Sequence, residues 1–419
     1  MMARLMELLG GHALRRRDLL VIYIALFLSF LGTSIAFPLR MLYARSQGAS
    51  PLELGLMAAA FLAAPLLTQL PLGWLVDRWG RVPVLLSGVA AHTVISLCYI
   101  LFSTPVDLIV LRFIEGVTIA AIQPAIRAYI ADVTPEEHRS EAYGVLSAAL
   151  NAGLFIGPLL GGVLAEKVDF QAAYIASVIV EAIAAVIIWR QVHEPAGAIR
   201  ARENGAAKEK VHWRAYVSLP LLGAYAAFAC VQSVMGMMGA LWSIWMNDLG
   251  ASYTYIGLTY TVFALPQIVL GAYAGRLGDR FGLAPLILIP GLLVSVIYAG
   301  YGFVANLGLI MVMGLLEGAI FVFQQPAAQS LLADASPPTA RGRVQGLGGM
   351  AGALGGTIAS FASIPLYHIS VVLPWVLAGV IMAIGSIAAA AGAFVFARRQ
   401  RAAPPPRPAL HSEPAAAAR

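Results

Sequence analysis

Twelve long hydrophobic runs separated by short polar segments dominate the chain. Each has about the 20 residues that an α-helix needs to cross the hydrocarbon core of a bilayer. The runs lack the strict alternation of barrel strands, and backbone groups in hydrocarbon must be hydrogen-bonded within their own segment, so each run is predicted to be a helix. They lie at residues 19–39, 54–76, 82–103, 108–130, 143–164, 172–189, 216–244, 253–273, 283–304, 307–332, 345–367 and 371–396.

The runs fall into two groups of six joined by a charged segment. The predicted fold class is therefore an all-α polytopic membrane protein, and a composition of 60% hydrophobic and 11% charged residues excludes a water-soluble enzyme. The predicted units are an N-terminal segment (1–18), a first bundle (19–192), a linker (193–214), a second bundle (215–399) and a disordered tail rich in Pro and Ala (400–419).

Arginine and lysine are distributed unevenly between the loops. Basic residues in short loops stay in the cytoplasm, and here the loops on the side of the termini carry nearly all of them. The opposite loops hold little beyond Arg45 and Lys167, with Arg40 expected at the outer end of the first helix. This pattern predicts both termini in the cytoplasm and an integral protein of a prokaryotic inner membrane. It also accounts for the net charge of +6 without a nucleic-acid partner.

An internal repeat relates the two groups of helices. The segment GWLVDRWGRVP at 73–83 recurs 202 residues later as GRLGDRFGLAP at 275–285. At the same offset Glu115-Gly116 matches Glu317-Gly318. Repeats of this kind predict two pseudo-symmetric bundles with a substrate site between them near the bilayer midplane.

The repeated segment resembles the loop signature of the major facilitator superfamily. That resemblance implies twelve helices in two six-helix bundles and a cytoplasmic gate built on the loop. Arg81 and Asp132 are a predicted partner pair, and Leu283 in place of the second copy's final arginine weakens the second latch. Ordinary positive-inside charges are the alternative. The predicted gate residues are Gly73, Asp77, Arg78, Gly80, Arg81, Asp132, Arg139, Asp279, Arg280, Asp334 and Arg341.

Charged side chains inside three of the runs are the candidates for proton coupling. Arg112 and Glu115 share one polar stripe, and they resemble the family's helix 4 signature, in which the arginine is linked to proton transfer. A neutralised structural ion pair is the alternative. Glu317 has Gly314 where Arg112 would stand, and an acid without a cation in hydrocarbon is favoured in its protonated form. Glu181 is a further candidate, equally open to a structural role.

The fifth run carries a regular string of glycines with one proline. The stripe allows a neighbouring helix to approach closely, and the proline removes one backbone donor. The complete string resembles the antiporter signature of the twelve-helix drug/proton exchangers. Met41 departs from that group's motif at the end of the first helix, where a second proline is usual. The string consists of Gly144, Gly153, Gly157, Pro158, Gly161 and Gly162.

These patterns predict proton-coupled efflux of lipophilic or cationic small molecules by alternating access, with protons and the lipid bilayer as partners and a monomeric state. A facilitator or symporter of a sugar or other small metabolite is the main alternative. No nucleophile, metal cluster or nucleotide-binding loop stands out, so neither an enzyme nor a cofactor or metal is expected. His92 is expected to be a packing histidine. The cavity candidates are Phe37, Gln123, Asn151, Tyr225, Gln232 and Gln325.

Overall fold

The computed structural model describes residues 16–135, 138–195, 217–336 and 341–402; the rest of the predicted N-terminal segment, linker and tail lies outside these ranges. The all-α prediction is confirmed, because the described part consists of long helices without strands. The helices are α1 (Arg17–Ser46), α2 (Pro51–Trp79), α3 (Arg81–Leu101), α4 (Pro105–Val133), α5 (Arg139–Lys167), α6 (Phe170–Gln191), α7 (Leu219–Asp248), α8 (Tyr253–Phe281), α9 (Leu283–Tyr301), α10 (Leu307–Asp334), α11 (Arg341–Ile369) and α12 (Leu373–Ala402).

Eleven of these helices are long and apolar enough to cross a membrane. The twelfth, α4, is as long as α2, with 29 residues, but it carries buried charged side chains. Helix α1 is interrupted by one turn of 3-10 helix at Phe37–Leu39. The protein is an integral membrane protein. One side of the protein carries the linker between α6 and α7 together with the turns α2–α3, α4–α5, α8–α9 and α10–α11. We call this side the linker face and the opposite side the distal face.

The backbone turns repeat the sequence register. Four glycines among the described residues have positive φ angles: Gly48 (86°), Gly80 (108°), Gly250 (83°) and Gly282 (80°). They form two pairs separated by 202 residues, and each pair closes the equivalent turn in the two halves. Only glycine adopts this conformation without strain, so the repeat is fixed by backbone geometry as well as by side chains.

Helix packing follows the same symmetry. In the first half α1 packs on α5 and α6, α2 on α4, and α3 on α4 and α6. In the second half α7 packs on α11 and α12, α8 on α10, and α9 on α10 and α12, which are the same pairs six helices later. The largest contacts between the halves join α2 to α11 and α5 to α8. The boundaries predicted for the two bundles, 19–192 and 215–399, remain predictions.

The two bundles touch through their distal ends. Arg45 of α1 forms an ion pair of 2.6 Å with Asp248 of α7, which also accepts a hydrogen bond of 3.0 Å from the Tyr367 hydroxyl. Glu166 of α5 accepts a hydrogen bond of 2.9 Å from the backbone N–H of Thr254 in α8. The Arg45–Asp248 and Glu166–Thr254 contacts thus join the two bundles at the distal face.

The linker-face ends of the same helices are open. Gly144 in α5 and its repeat equivalent Gly346 in α11 are exposed, and a Cβ added at either would meet nothing within 4 Å. Further along α5, Gly157 and Gly161 lie directly against the α1 backbone, while Gly162 lies against Tyr253 of α8. The glycine string therefore seats α5 on two helices at once, one from each bundle.

Substituting alanine at Gly161 should destabilise the protein, whereas the same change at Gly144 should not. A methyl at Gly161 collides with the Ile35 carbonyl, and such overpacking costs about 1–3 kcal/mol. At Gly144 alanine enters open space and gains helix propensity of about 1 kcal/mol. Thermal unfolding of the two purified variants measures the difference, and equal midpoints would contradict this packing.

Candidate functional site

The first bundle holds a carboxylate clamped between two arginines. The side chain of Glu115 in α4 is fully buried. Its Oε1 lies 2.9 Å from Nη2 of Arg40, and its Oε2 lies 2.9 Å from Nη1 of Arg112. The Tyr99 hydroxyl donates a further hydrogen bond of 3.2 Å to Oε2. Two ion pairs therefore compensate the charge of Glu115, and its Oε2 also accepts hydrogen bonds from Arg112 and Tyr99.

A histidine joins this cluster to a second buried acid. Nε2 of His92 lies 3.5 Å from Oε1 of Glu115, and Nδ1 lies 3.0 Å from Oε2 of Glu181. Glu181 also accepts hydrogen bonds from the hydroxyls of Ser96 (3.1 Å) and Ser177 (3.3 Å). We call Arg40, His92, Arg112, Glu115 and Glu181 the charge network. Two guanidinium groups balance two carboxylates, and α1, α3, α4 and α6 are tied together.

Two members of the network escaped the sequence analysis. Arg40 lies in the distal part of α1, close to the expected outer end, but its side chain is buried and only 2% exposed. His92 is buried as expected, but it bridges two carboxylates and is more than a packing residue. Charge counting would have found them. Two acids and one arginine inside the first bundle leave a negative charge that hydrocarbon does not tolerate.

The second bundle keeps the acid and loses its cations. The Tyr301 hydroxyl donates a hydrogen bond of 2.7 Å to Glu317, which reproduces the Tyr99–Glu115 contact 202 residues later. The positions equivalent to Arg40, His92 and Arg112 hold Trp242, Val294 and Gly314. Among the described residues no basic side chain lies within ion-pair distance of Glu317.

Glu317 faces a cavity of about 230 Å³ between the bundles. Of the described residues that line it, Glu317 alone is acidic and none is basic. The others are mostly aromatic and aliphatic: Phe37, Leu154, Phe155, Pro158, Met235, Met238, Gly239, Trp242, Thr259, Tyr260, Phe263 and Gly314. An adjoining cavity of about 100 Å³ shares Phe37, Met235 and Gly239 with the first and is lined on its far side by Phe61 and Arg112.

The predicted cavity residues divide into two groups. Phe37 lines both cavities, Gln232 lines the smaller one, and Gln325 lines a third small space with Gln232. Gln123, Asn151 and Tyr225 do not line these spaces. By helical register each lies on the same face as a lining residue, one or more turns closer to the open linker face.

The predicted gate is described in part. Nε of Arg81 lies 2.9 Å from Oδ2 of Asp132, which joins α3 to α4, and Arg78 lies over the Trp74 ring. Arg139 begins α5, and Asp334 at the end of α10 is exposed. The side chains of Asp77, Asp279, Arg280 and Arg341, together with position Gly73, lie outside what the structure describes.

Glu194 at the linker face is a functional candidate that the sequence pattern did not predict. Its carboxylate accepts hydrogen bonds of 2.7 Å from the backbone N–H groups of Arg81 and Val82, the first residues of α3. Gly80 lies against the same carboxylate, where a side chain would collide with it. The beginning of the linker is thereby fastened to the signature loop.

Comparison with known proteins agrees with this architecture. The model of the Major Facilitator Superfamily matches residues 22–243 and again residues 227–418. The chain belongs to this superfamily. It is therefore a membrane transporter, as its loop signature and repeat predict. Its helix order and the pairing of its two halves are those of the major facilitator fold.

Sequence relatives match part of the chain. An uncharacterized MFS-type transporter of Methanocaldococcus jannaschii is 29% identical over 178 residues, 42% of this chain and 46% of the relative. The quinolone resistance protein NorA of Staphylococcus aureus is 26% identical over 220 residues, 51% of this chain and 55% of NorA. These matches span about half the length of each relative.

Solved structures match almost the whole chain at low sequence identity. A mutant of the nucleoside transporter NupG has a TM-score of 0.73 at 12% identity, and the match covers 90% of this chain and 98% of the NupG chain. The D-xylose-proton symporter has a TM-score of 0.70 at 15% identity, covering 88% of this chain and 95% of the symporter. At such identities the likeness establishes the fold alone.

Replacing Glu115 by glutamine should destabilise the protein, whereas replacing the equivalent Glu317 should not. Glu115→Gln leaves two arginines buried without their counter-charge, a loss of about 3–5 kcal/mol for a broken buried pair. Glu317→Gln removes no ion pair and keeps an acceptor for Tyr301, so stability should be unchanged or higher. Thermal unfolding of the two purified variants makes the comparison. A tolerated Glu115→Gln would show that the network is not a structural unit.

Proposed function

We propose that the protein is a proton-coupled exporter of lipophilic or cationic small molecules that works by alternating access. One observation carries the proposal. Glu317 is a buried acid without a cationic partner among the described residues, and it lines an otherwise apolar cavity between the bundles. An intramembrane acid in this position exchanges a proton for another positive charge more readily than a compensated one does.

The exchange follows from electrostatics. With the linker face open, ionised Glu317 attracts a cation while the aromatic and methionine lining accepts its apolar body. Once the cavity opens to the distal side, protonation of Glu317 cancels the attraction and the substrate leaves. The distribution of Arg and Lys supports assigning the linker face to the cytoplasm and the distal face to the outside of a prokaryotic inner membrane.

The charge network provides the rigid frame for this exchange. Of the coupling candidates, Arg112, Glu115 and Glu181 are compensated by near neighbours, so a change in the protonation of either acid would disrupt several contacts at once. We assign them to holding the first bundle together. Arg112 also borders the smaller cavity, where its charge keeps a bound cation on the side of Glu317.

Alternating access requires the distal contacts to open and the linker face to close. The Arg45–Asp248 pair and the Glu166–Thr254 hydrogen bond are the contacts that must break. At the linker face the Arg81–Asp132 pair and the predicted gate residues around Asp77 would then meet the second bundle. The exposed Arg45–Asp248 pair contributes about 0–1 kcal/mol, small enough to be broken in each cycle.

The printed name of NorA, a quinolone resistance protein, supports efflux of a drug-like molecule. A sugar facilitator or symporter needs a cavity rich in amides and hydroxyls. Here Gln324, Gln325 and Gln329 gather in a small separate space, and Gln232 lines both that space and the cavity that adjoins the main one. The apolar lining of the main cavity therefore favours amphiphilic substrates over sugars. We further propose a monomer that uses protons alone for coupling.

A flux measurement in proteoliposomes tests this proposal. With a pH gradient imposed and a panel of lipophilic cations presented, the wild-type protein should release internal protons when substrate is added. Glu317→Gln should abolish this proton movement, because the exchangeable carboxylate is gone. Glu53→Gln is the matched control, since it removes an exposed carboxylate at the start of α2 and glutamine also serves in a capping box.

Two results would refute antiport. One is substrate uptake that ignores the pH gradient in the wild-type protein and in the Glu53→Gln control. The other is proton movement that survives Glu317→Gln unchanged. Either result would instead favour a neutral metabolite as the substrate and a facilitator mechanism.

A further inference from the structure

The first bundle contains a complete binding site for a guanidinium group. The group belongs to Arg112, which donates to Glu115 at 2.9 Å while its Cζ lies 4.4 Å from the centroid of the Phe61 ring. The carboxylate gives a charge-assisted hydrogen bond, and the ring face adds a cation–π contact. The Tyr99 hydroxyl donates to the same carboxylate oxygen, Oε2 of Glu115.

The second bundle contains the same site without its guanidinium. The equivalent residues 202 positions later are Glu317, Phe263 and Tyr301, and Tyr301 again donates to the acid. The backbone register is also preserved, because Gly318 lies against the Phe263 carbonyl as Gly116 lies against that of Phe61. Two parts of the first site, the carboxylate and the ring, are therefore retained on the matching helices α8 and α10.

The position equivalent to Arg112 is empty space. It is Gly314, and a Cβ added there would meet only the Tyr301 hydroxyl, at 3.7 Å. Gly314, Glu317 and Phe263 all line the main cavity. In the first bundle a covalently attached guanidinium occupies this position, whereas in the second the position is open to a diffusing molecule.

We infer that the cavity selects substrates bearing a planar guanidinium or amidinium group, which binds between the Glu317 carboxylate and the Phe263 ring in the place that Arg112 occupies in the first bundle. The apolar body of the substrate then lies against Met235, Met238 and Trp242. This inference rests on the proposed function and names the chemical class of its substrate.

Hydrogen-bond geometry separates this class from other cations. A guanidinium presents a planar fork of N–H donors to a carboxylate, stacks on an aromatic face and is weakly hydrated. A primary ammonium donates but does not stack as a plane, and a quaternary ammonium has no donor at all. Glu317 would therefore bind the three groups in the order guanidinium, primary ammonium, quaternary ammonium.

Equilibrium binding of three matched probes tests this order. The probes are benzylguanidinium, benzylammonium and benzyltrimethylammonium, and the protein is the full chain in lipid nanodiscs at constant ionic strength. Wild type should bind benzylguanidinium about tenfold or more tightly than benzyltrimethylammonium. Phe263→Leu should reduce this preference severalfold, because it removes the ring face and keeps an apolar side chain.

Variants at Gly314 test the vacant position itself. Gly314→Arg should supply the guanidinium from within the chain, abolish probe binding and raise the melting temperature. That rise should vanish when Glu317→Gln is added. Gly314→Met fills the same space without charge, so it should block binding without a rise that depends on Glu317.

The outcomes separate this inference from the proposed function. Equal or tighter binding of benzyltrimethylammonium by wild type would overturn the inference, even if proton-coupled export of cations holds. A guanidinium preference that depends on Phe263 would uphold it, even if no proton moves in proteoliposomes. If Gly314→Arg does not fold, the wild-type probe order and the Phe263→Leu variant still decide the question.

Discussion

A carboxylate that stays ionised inside a membrane protein must be compensated, and the ion pairs of Glu115 with Arg40 and Arg112 meet that requirement in the first bundle. These charges come from α1 and α4, and His92 extends them to α3 and α6 through Glu181. Four of the six helices of that bundle thus share one electrostatic core. In the proposed alternating-access cycle, this core would hold the first bundle together as one unit.

The duplicated architecture gives this constraint its functional meaning. The same tyrosine–glutamate contact occurs in both halves, at Glu115 and at Glu317, on the same turns of equivalent helices. In one half the neighbours neutralise the acid, and in the other they are aromatic residues and open space. The proposed difference between a structural acid and an exchangeable one therefore lies in the residues around each acid rather than in the acid itself.

Much of the fold could be predicted from the sequence because bilayer crossing imposes a simple pattern. The length of the apolar runs gave the helices, and the repeated loop motif gave the pseudo-symmetry of the two halves. The repeat also identified Glu317 as the equivalent of Glu115, with Gly314 in the position equivalent to Arg112. The positions of Arg40 and His92 could not be predicted from local pattern, because their partners lie more than 20 residues away on other helices. Glu194 was missed for the same reason, since it reaches Arg81 from the far end of the bundle sequence.

The contribution of α5 and α8 to the cavity also lay beyond the sequence pattern. The glycine string predicted close helix packing, but it did not identify which helix would lie on each glycine. The structure places α1 on one side of α5 and α8 of the other bundle next to it, so Phe155 and Pro158 reach the cavity. Contacts between bundles depend on the conformational state, and a single sequence pattern does not encode which state is populated.

Proton release on cation binding tests the central claim most directly, since that claim is that Glu317 exchanges a proton for a cation. Purified protein in weakly buffered solution near neutral pH is mixed with a saturating lipophilic cation, and the released protons are counted against the bound cation. The account predicts release that depends on Glu317 and disappears in Glu317→Gln. Full binding of the cation by the wild-type protein without any proton release would contradict it.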